Sequence, residues 1–202
     1  RINTSGTTLN NQEIRNCVYQ GELNTLLFKV NKNQQWRVLY GEQGEDSRML
    51  DLELILRYYA LNSPEIYNSD KKKISLKQEL NKYMQSKMNA SPDFITEKEL
   101  EFNSVIDFIF THMGEEAFFN LQNDLSKIRR RLYPTVFDSI MIATSIAQRR
   151  GYINRGENLS DKRLELLKNA TYRESISQGT MKTESIRTRI SYALHYLYGM
   201  EL

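Results

Sequence analysis

The first sixteen residues, RINTSGTTLNNQEIRN, concentrate the side chains of this chain with the greatest potential for chemistry. Turn-forming Gly, Asn, Ser and Thr residues come first. Asn10 and Glu13 then have the three-residue spacing of a capping box, in which each side chain satisfies a backbone amide at a helix start. A helix cap uses only a few polar side chains, and this segment contains more polar side chains than its cap requires. The surplus polar side chains are candidates for a binding pocket: Arg1, Asn3, Glu13, Arg15 and Asn16.

Two interpretations of this segment stay open. In the first, it is only a well-capped junction between a loop and a helix. In the second, its surplus polar groups help to form a site with another part of the protein. Glu13 and Arg15 are two residues apart, so they project from different sides of a helix and lack the spacing of the usual ion pair. We therefore expect at least one of them to have a partner elsewhere.

The other residues capable of catalysis do not form a recognisable constellation. Two histidines and one cysteine, His112, His195 and Cys17, have no spacing typical of a zinc site or a Cys–His pair. Both histidines are predicted to be packing or helix-end residues, and Cys17 is predicted to be a buried, inert thiol. Asp51 and Glu53 are two apart on a predicted helix and do not face one way, so no metal site is predicted. The sequence also lacks a phosphate loop, and no catalytic residue or cofactor is assigned to this chain.

Charge is unevenly distributed along the chain. Residues 127–202 contain fourteen Lys or Arg and seven Asp or Glu, a net charge of +7, and residues 1–126 have a net charge of −4. Arginine can bridge phosphate oxygens, and tyrosines accompany the basic clusters. The pattern predicts a DNA-binding surface, although a solvated helix surface or ion pairs with the acidic part would give the same pattern. The predicted DNA contacts are Arg129, Arg130, Arg131, Arg149, Arg150, Arg187 and Arg189.

The apolar residues that must position these groups recur with helical spacing throughout, which predicts an all-α, multi-helix domain. Its two packed helical subdomains are expected at residues 1–126 and 127–202. In the first, apolar spacing predicts a helical face from Leu23 to Val30, and a central helix is predicted from Met49 to Leu61. Further helices are predicted from Leu76 to about Met88 and, after a capping box at Thr96 and Glu99, up to Met113.

The first part ends with an ambiguous region. Residues 116–121 fit either a short strand or an exposed aromatic turn. Helices are then predicted from Val136 to about Arg150, from Asp161 to Ala170, and from residue 180 towards the C-terminus. The buried face of the last helix is predicted to contain Ile186, Ile190, Ala193, Leu194 and Leu197. Composition is that of a folded protein, with 40% hydrophobic and 26% charged residues. No apolar run is long enough to span a membrane, and the single cysteine is compatible with a reducing cytoplasm.

Three segments carry a resemblance to a known family. The string Arg-Ile-Asn-Thr-x-Gly-x-x-Leu-x-x-Gln-Glu-Ile-Arg-Asn, residues 1–16, resembles a segment in the N-terminal domain of GmrSD-type restriction endonucleases. DSRMLDLELILRYYA, residues 46–60, is similar to that family's next recurring block, and SQGTMKTESIRTRISYA, residues 177–193, is similar to its closing helix. In that family a ParB-like α/β portion comes earlier and carries an Asp-Gly-Gln-Gln-Arg motif that this chain lacks. The resemblance implies that the chain is the helical part of a larger α/β-plus-helical protein, in keeping with a chain that begins on Arg1.

The resemblance also implies a function. The whole protein would be an NTP-dependent DNA restriction protein of phage defence, using an NTP and Mg²⁺. This chain would be its helical scaffold or regulatory part, with Arg1, Asn3, Glu13, Arg15 and Asn16 completing a polar pocket of the missing N-terminal portion.

The alternative function is a non-enzymatic helical module that binds protein partners or a second copy of itself. Adjacent aromatic residues motivate this alternative, because exposed apolar surface often marks an interface. The aromatic stretches expected to be exposed are Tyr58–Tyr59, Phe118–Phe119 and Tyr196–Tyr198.

Overall fold

A computed structural model of the chain describes residues 8–67 and 69–202, and helices dominate it. Arg1 and Asn3 lie outside the described residues. Eleven helices are described: α1 (Asn11–Val18), α2 (Glu22–Asn31), α3 (Gln34–Tyr40), α4 (Leu50–Leu61), α5 (Pro64–Tyr67), α6 (Leu76–Ser86), α7 (Pro92–Met113), α8 (Pro134–Arg149), α9 (Leu159–Lys168), α10 (Ala170–Ser177) and α11 (Thr183–Tyr198). The predicted all-α, multi-helix class is confirmed. Within the described ranges, no helix has both the length and the apolar character required to cross a lipid bilayer.

Two helices form the centre of the core. In α4 every residue from Asp51 to Leu61 except Glu53 is buried, and in α8 every residue from Thr135 to Ala147 is buried. A helix that is buried on all sides must be surrounded by other elements, because it has no polar face left for solvent. The α4 helix, predicted from the sequence to be central, packs directly against α8.

The α8 and α11 helices run roughly parallel to each other. Near the start of α8, Asp138 lies 3.5 Å from the guanidinium of Arg189. Further along, the hydroxyls of Thr144 and Tyr198 are 2.6 Å apart. Thr183, Arg189 and Tyr198 of α11 are buried, together with all of the predicted apolar residues: Ile186, Ile190, Ala193, Leu194 and Leu197. The first turns of these two helices therefore lie at the same end of the fold.

A short β-hairpin precedes α8. The strands β1 (Phe119–Leu121) and β2 (Ile128–Leu132) pair antiparallel, with Leu121 opposite Ile128, and the register shifts between Phe119 and Asn120. Both structures left open for residues 116–121 occur: residues 116–118 form a turn, which is largely buried, and Phe119–Leu121 form a strand. The division expected between residues 126 and 127 falls in the loop of this hairpin, and buried apolar side chains from both sides of it belong to one core cluster.

The helices differ from the prediction in the start of α7 and in two helices that were not predicted, α3 and α10. The α7 helix begins at Pro92, because the Ser91 hydroxyl accepts a hydrogen bond from the Phe94 amide (3.3 Å) and proline suits the first helical position. Thr96 lies inside this helix and donates to the carbonyl of Pro92 (2.9 Å). In the C-terminal part, α10 is a separate helix that was not predicted, and Asn169 caps it.

The aromatic stretches are not exposed as expected. Tyr58, Tyr59, Phe118 and Tyr198 are buried in the core. The physical reason is that each lies on a helix or loop covered by others: Tyr58 donates to Glu101 of α7 (3.0 Å), for example. These stretches therefore give no support to an interface, and the alternative function loses the observation that motivated it.

Candidate functional site

The predicted capping box at the start of α1 is confirmed. The Asn10 side chain accepts hydrogen bonds from the amides of Gln12 (2.8 Å) and Glu13 (2.9 Å), and the Asn10 amide donates to the Glu13 carboxylate (2.5 Å). The Asn10 side-chain amide also donates to the carbonyl of Arg48 (2.6 Å). The cap thus fixes α1 to the loop that leads into α4.

Glu13 and Arg15 both have partners far away in the sequence, as expected for at least one of them. Glu13 lies 3.1 Å from the Nε of Arg48. Arg15 is 2.5 Å from the carboxylate of Glu53 on α4, and its Nε donates to Gln12 (2.8 Å). Burial lowers the pKa of the Arg15 guanidinium, and the charge of Glu53 opposes this shift. Both residues therefore anchor α1 to the body of the domain.

Asn16 belongs to the same polar contact. Its side-chain oxygen accepts from Gln12 (2.9 Å), and its amide nitrogen lies 2.9 Å from the sulfur of Met49. The inward face of α1 thus consists of polar side chains, with Gln12 and Arg15 fully buried.

The outward face of α1 is apolar. Ile14 is 45% exposed and Val18 is 59% exposed, and Leu9, just before the helix, is 56% exposed. Cys17 is also exposed, so the prediction of a buried thiol was wrong. The reason is that Cys17 shares the side of α1 with Ile14, which is turned away from the domain. We call Leu9, Ile14, Cys17 and Val18 the α1 outer face.

A buried polar network holds the loop on which α1 rests. Asp51 accepts hydrogen bonds from Arg37 (2.7 Å), Asn31 (2.9 Å) and the amide of Asp46 (2.9 Å). Asn31 also accepts from the indole nitrogen of Trp36 (2.8 Å). These contacts fix the chain that carries Arg48 and Met49. Asp51 is therefore a structural carboxylate. Sequence spacing gave no signal for this network, since its members come from three separate helices.

The described residues contain no group of three or more His, Cys, Asp or Glu side chains placed to hold a metal ion. Asp51 and Glu53, the carboxylates weighed in the sequence, each pair with a different arginine, Arg37 and Arg15. The described residues around α1 therefore combine buried polar contacts with the exposed α1 outer face.

The predicted DNA-contacting arginines fall into separate places. Arg129, Arg130 and Arg131 lie on β2, just before α8 begins, whereas Arg149 and Arg150 lie at the other end of that helix. Sixteen residues of α-helix span about 24 Å, so the two groups are far apart. On β2, Arg130 and Arg131 are exposed, and Arg129 donates to Asn123 in the hairpin loop (3.2 Å).

The remaining arginines differ in how available they are. Arg149 pairs with Glu101 (2.9 Å), and Arg150 donates to the carbonyl of Glu201. The Nε of Arg187 donates to the carbonyl of Tyr67 (2.8 Å), and its side chain is exposed. Arg189 is fully buried beside Asp138. Because α11 directs Arg189 towards α8, its side chain cannot contact DNA. The prediction of a DNA contact at Arg189 was therefore wrong.

The chain was compared with models of protein families, with curated proteins and with solved structures, and it matched none of these.

Proposed function

We propose that this chain is the helical scaffold and regulatory part of a GmrSD-like, NTP-dependent DNA restriction protein, and that the α1 outer face docks onto an α/β portion of that protein. The observation that carries the proposal is the inversion of α1, in which the polar side chains of Gln12 and Arg15 are buried against the domain, whereas the apolar side chains of Ile14 and Val18 face outward. The resemblance of residues 1–16 to the GmrSD-type segment supplies the identity of the docking portion.

The inversion has a physical cost that a second docked body would remove. Burying one large apolar side chain stabilises a fold by about 1.5–3 kcal/mol. A helix packed on only one side therefore gains stability when such residues face the domain. Single exposed apolar residues are ordinary. Here Ile14 and Val18 are four residues apart on one side of α1, while Gln12 and Arg15 occupy the inner side. A helix packed between two bodies would show this arrangement.

In this proposal the polar residues beside α1 form the rim of a shared pocket. Glu13 and Asn16 are only partly buried, so their outer edges stay available to a docked portion. Arg1 and Asn3, proposed for the same pocket, lie outside the described residues. The NTP and Mg²⁺ of the proposed restriction activity would be held by the α/β portion, because the described residues provide no metal-binding group.

The proposed protein acts on DNA in the cytoplasm. The exposed arginines of β2 give it a basic surface suited to phosphate contacts. A lone thiol such as Cys17 is compatible with that reducing compartment.

The test uses the complete protein with Ile14→Asp and Val18→Asp combined. Two carboxylates on the docking surface would separate the portions, so we expect NTP turnover to fall by about tenfold or more. The matched control is Leu100→Asp combined with Ile153→Asp, because both residues are exposed apolar residues outside the α1 outer face. Turnover equal to that of the control would contradict the proposal.

A second measurement separates docking from self-association. Light scattering of this chain alone reports whether it forms dimers through the α1 outer face. Dimers abolished by Ile14→Asp in this chain, and also present in the complete protein, would favour the alternative of an oligomerisation module. Dimers seen only in the isolated chain would support docking within the proposed protein.

A further inference from the structure

Two basic segments that are far apart in the sequence meet at the surface. The chain just before α6 runs antiparallel to the chain that enters α11. The amide of Ile74 donates to the carbonyl of Met181 (3.0 Å), and the amide of Thr183 donates to the carbonyl of Lys72 (3.2 Å). Backbone hydrogen bonds therefore hold the lysines of both segments in fixed proximity.

The two segments and α11 enclose a cleft with a volume of about 600 Å³. Two carboxylates, Asp70 and Glu184, also line it, so its ionised side chains have a net charge of +3. Its five cationic side chains define what we call the basic cleft: Lys71, Lys72, Lys73, Lys182 and Arg187.

The cations of the basic cleft form no close ion pair within the described part of the chain. Within residues 8–67 and 69–202, none of the five lies within 4.0 Å of a carboxylate oxygen, whereas Lys29, Lys98 and Lys162 each do. The Nε of Arg187 is held by the carbonyl of Tyr67, which fixes this guanidinium at the wall of the cleft. Like charges held together repel each other, and an anion bound between them would relieve that repulsion.

The side chains of the basic cleft suit a polymer with regularly spaced negative charges better than a single anion of a particular shape. Lysine is a compact point charge without the planar fork that reads a particular group, so it suits contacts with a charged backbone. None of the described residues that line the cleft is aromatic, so it has no platform on which unpaired bases would stack. Contacts to phosphates without base stacking are typical of sequence-independent binding to duplex DNA.

We infer that the basic cleft binds the phosphodiester backbone of duplex DNA. The inference rests on the proposed function and identifies which part of the surface binds the DNA. Lys71, Lys72 and Lys73 were not among the DNA contacts predicted from the sequence. Their role depends on Lys182 and Arg187, which are more than a hundred residues away along the chain.

The experiment measures fluorescence anisotropy of a labelled duplex DNA with the full chain over a series of salt concentrations. The test variant combines Lys71→Ala, Lys72→Ala and Lys182→Ala. We expect its affinity at low salt to fall by tenfold or more. We expect the slope of log K against log salt to decrease in magnitude by about 2–3, because each phosphate contact contributes about 0.9. The matched control removes three exposed lysines outside the cleft: Lys32→Ala, Lys77→Ala and Lys168→Ala.

Three outcomes decide the inference. A selective loss in the cleft variant, with a thermal unfolding midpoint equal to that of the control, supports it. Equal affinity of the cleft variant and the control would overturn it. In that case a variant with Arg129→Ala, Arg130→Ala and Arg131→Ala shows whether the hairpin binds DNA, so the proposed function is tested separately. No binding by the unaltered chain would overturn both.

Two further probes distinguish the source of the phosphate. Inorganic triphosphate and vesicles containing phosphatidylglycerol are offered to the same variants at matched ionic strength. If the cleft substitutions abolish binding of either probe and leave DNA affinity unchanged, the cleft serves a free polyphosphate or a lipid surface, and the inference fails. Loss of DNA binding, with weaker or no binding of the two probes, supports it.

Discussion

The interior and the surface of this domain both contain an excess of positive charge, and they use it differently. In the interior, Arg57 and Arg189 share the single carboxylate of Asp138. At the surface, the basic cleft has five cations and two carboxylates. Arg57 and Arg189 both contact protein oxygens, although the Nε of Arg189 has no hydrogen-bond partner in the described residues, whereas the cations of the cleft have no carboxylate partner there. The first arrangement holds helices together, and the second leaves charge available for a ligand.

The interior network joins three helices. Arg57 of α4 donates twice to Asp138 of α8, through Nε (3.1 Å) and Nη2 (2.5 Å). Arg189 of α11 approaches the same carboxylate at 3.5 Å and donates to the carbonyl of Thr180 (2.7 Å). Burial acts to lower the pKa of Arg57, but Asp138 outweighs it and leaves this pKa raised. For Arg189 burial dominates, and its pKa is lowered.

Removing the shared carboxylate should have the largest effect on stability. In Asp138→Ala, two buried guanidiniums would lose the carboxylate that they share, and breaking a buried pair in this way costs about 3–5 kcal/mol. We expect the free energy of unfolding, measured by urea denaturation, to fall by this amount. A loss below about 1 kcal/mol would show that water or a neighbouring group compensates the arginines.

Two variants control this prediction. Glu165→Ala removes an exposed carboxylate of α9 and should leave the free energy of unfolding nearly unchanged. Arg189→Met leaves the doubly bonded pair of Arg57 and Asp138 intact and removes the surplus cation. Its cost should therefore be well below that of Asp138→Ala, at about 1–2 kcal/mol for the unpaired carbonyl of Thr180.

Glu101 is intermediate between the buried network of Asp138 and the exposed basic cleft. Its side chain is partly buried and accepts several hydrogen bonds. It accepts from Tyr58 (3.0 Å), Ser145 (2.6 Å) and Lys98 (2.7 Å), and it pairs with Arg149. Burial alone would raise the pKa of Glu101, but the hydrogen bonds from Lys98 and Ser145 outweigh burial and leave this pKa lowered. Arg149, predicted to bind DNA, therefore also contributes to the folded state.

The lowered pKa of Glu101 predicts how stability depends on pH. Because the folded-state pKa lies below the ordinary value of 4.5, this carboxylate contributes stability above that pH. The contribution is lost as the pH falls from about 4.5 through the folded-state pKa. We expect Glu101→Gln to make the acid-induced loss of unfolding free energy less steep. Glu165→Gln, which changes an exposed carboxylate of α9, is the matched control. Equal slopes for the two variants would contradict the prediction.

The sequence predicted the helices well, because apolar periodicity and capping residues are local signals. Asn10 and Glu13 formed the expected cap, and the apolar face of α11 is buried as predicted. The inversion of α1 was not predictable from its own residues. Their spacing defines two faces, but the inward one is chosen by Arg48 and Glu53, which lie 35 and 38 residues away from their partners Glu13 and Arg15.

The candidate sites were predictable only in part for the same reason. Arg187 and Arg189 are two residues apart, and both are among the DNA contacts predicted from the sequence. On α11 they face opposite environments, and Asp138 draws Arg189 into the interior. Likewise, Lys71 to Lys73 are only a short run of charged residues in the sequence. In the structure, backbone pairing with residues 181–183 brings Lys182 beside them. Contacts between residues more than fifty positions apart decide both cases.

The smallest expected effect on stability is at the basic cleft, and its sign is opposite to that at Asp138. Replacing Lys72 with glutamate relieves repulsion from its neighbouring lysines, so Lys72→Glu should stabilise the fold by a few tenths of a kcal/mol. Lys72→Gln should give a smaller gain. Because salt screens exposed charges, both gains in unfolding free energy should shrink as ionic strength rises. Destabilisation by more than about 0.5 kcal/mol would mean that Lys72 has a favourable partner. A variant that folds more stably and binds DNA less well would show that the lysines of the cleft are not required for folding.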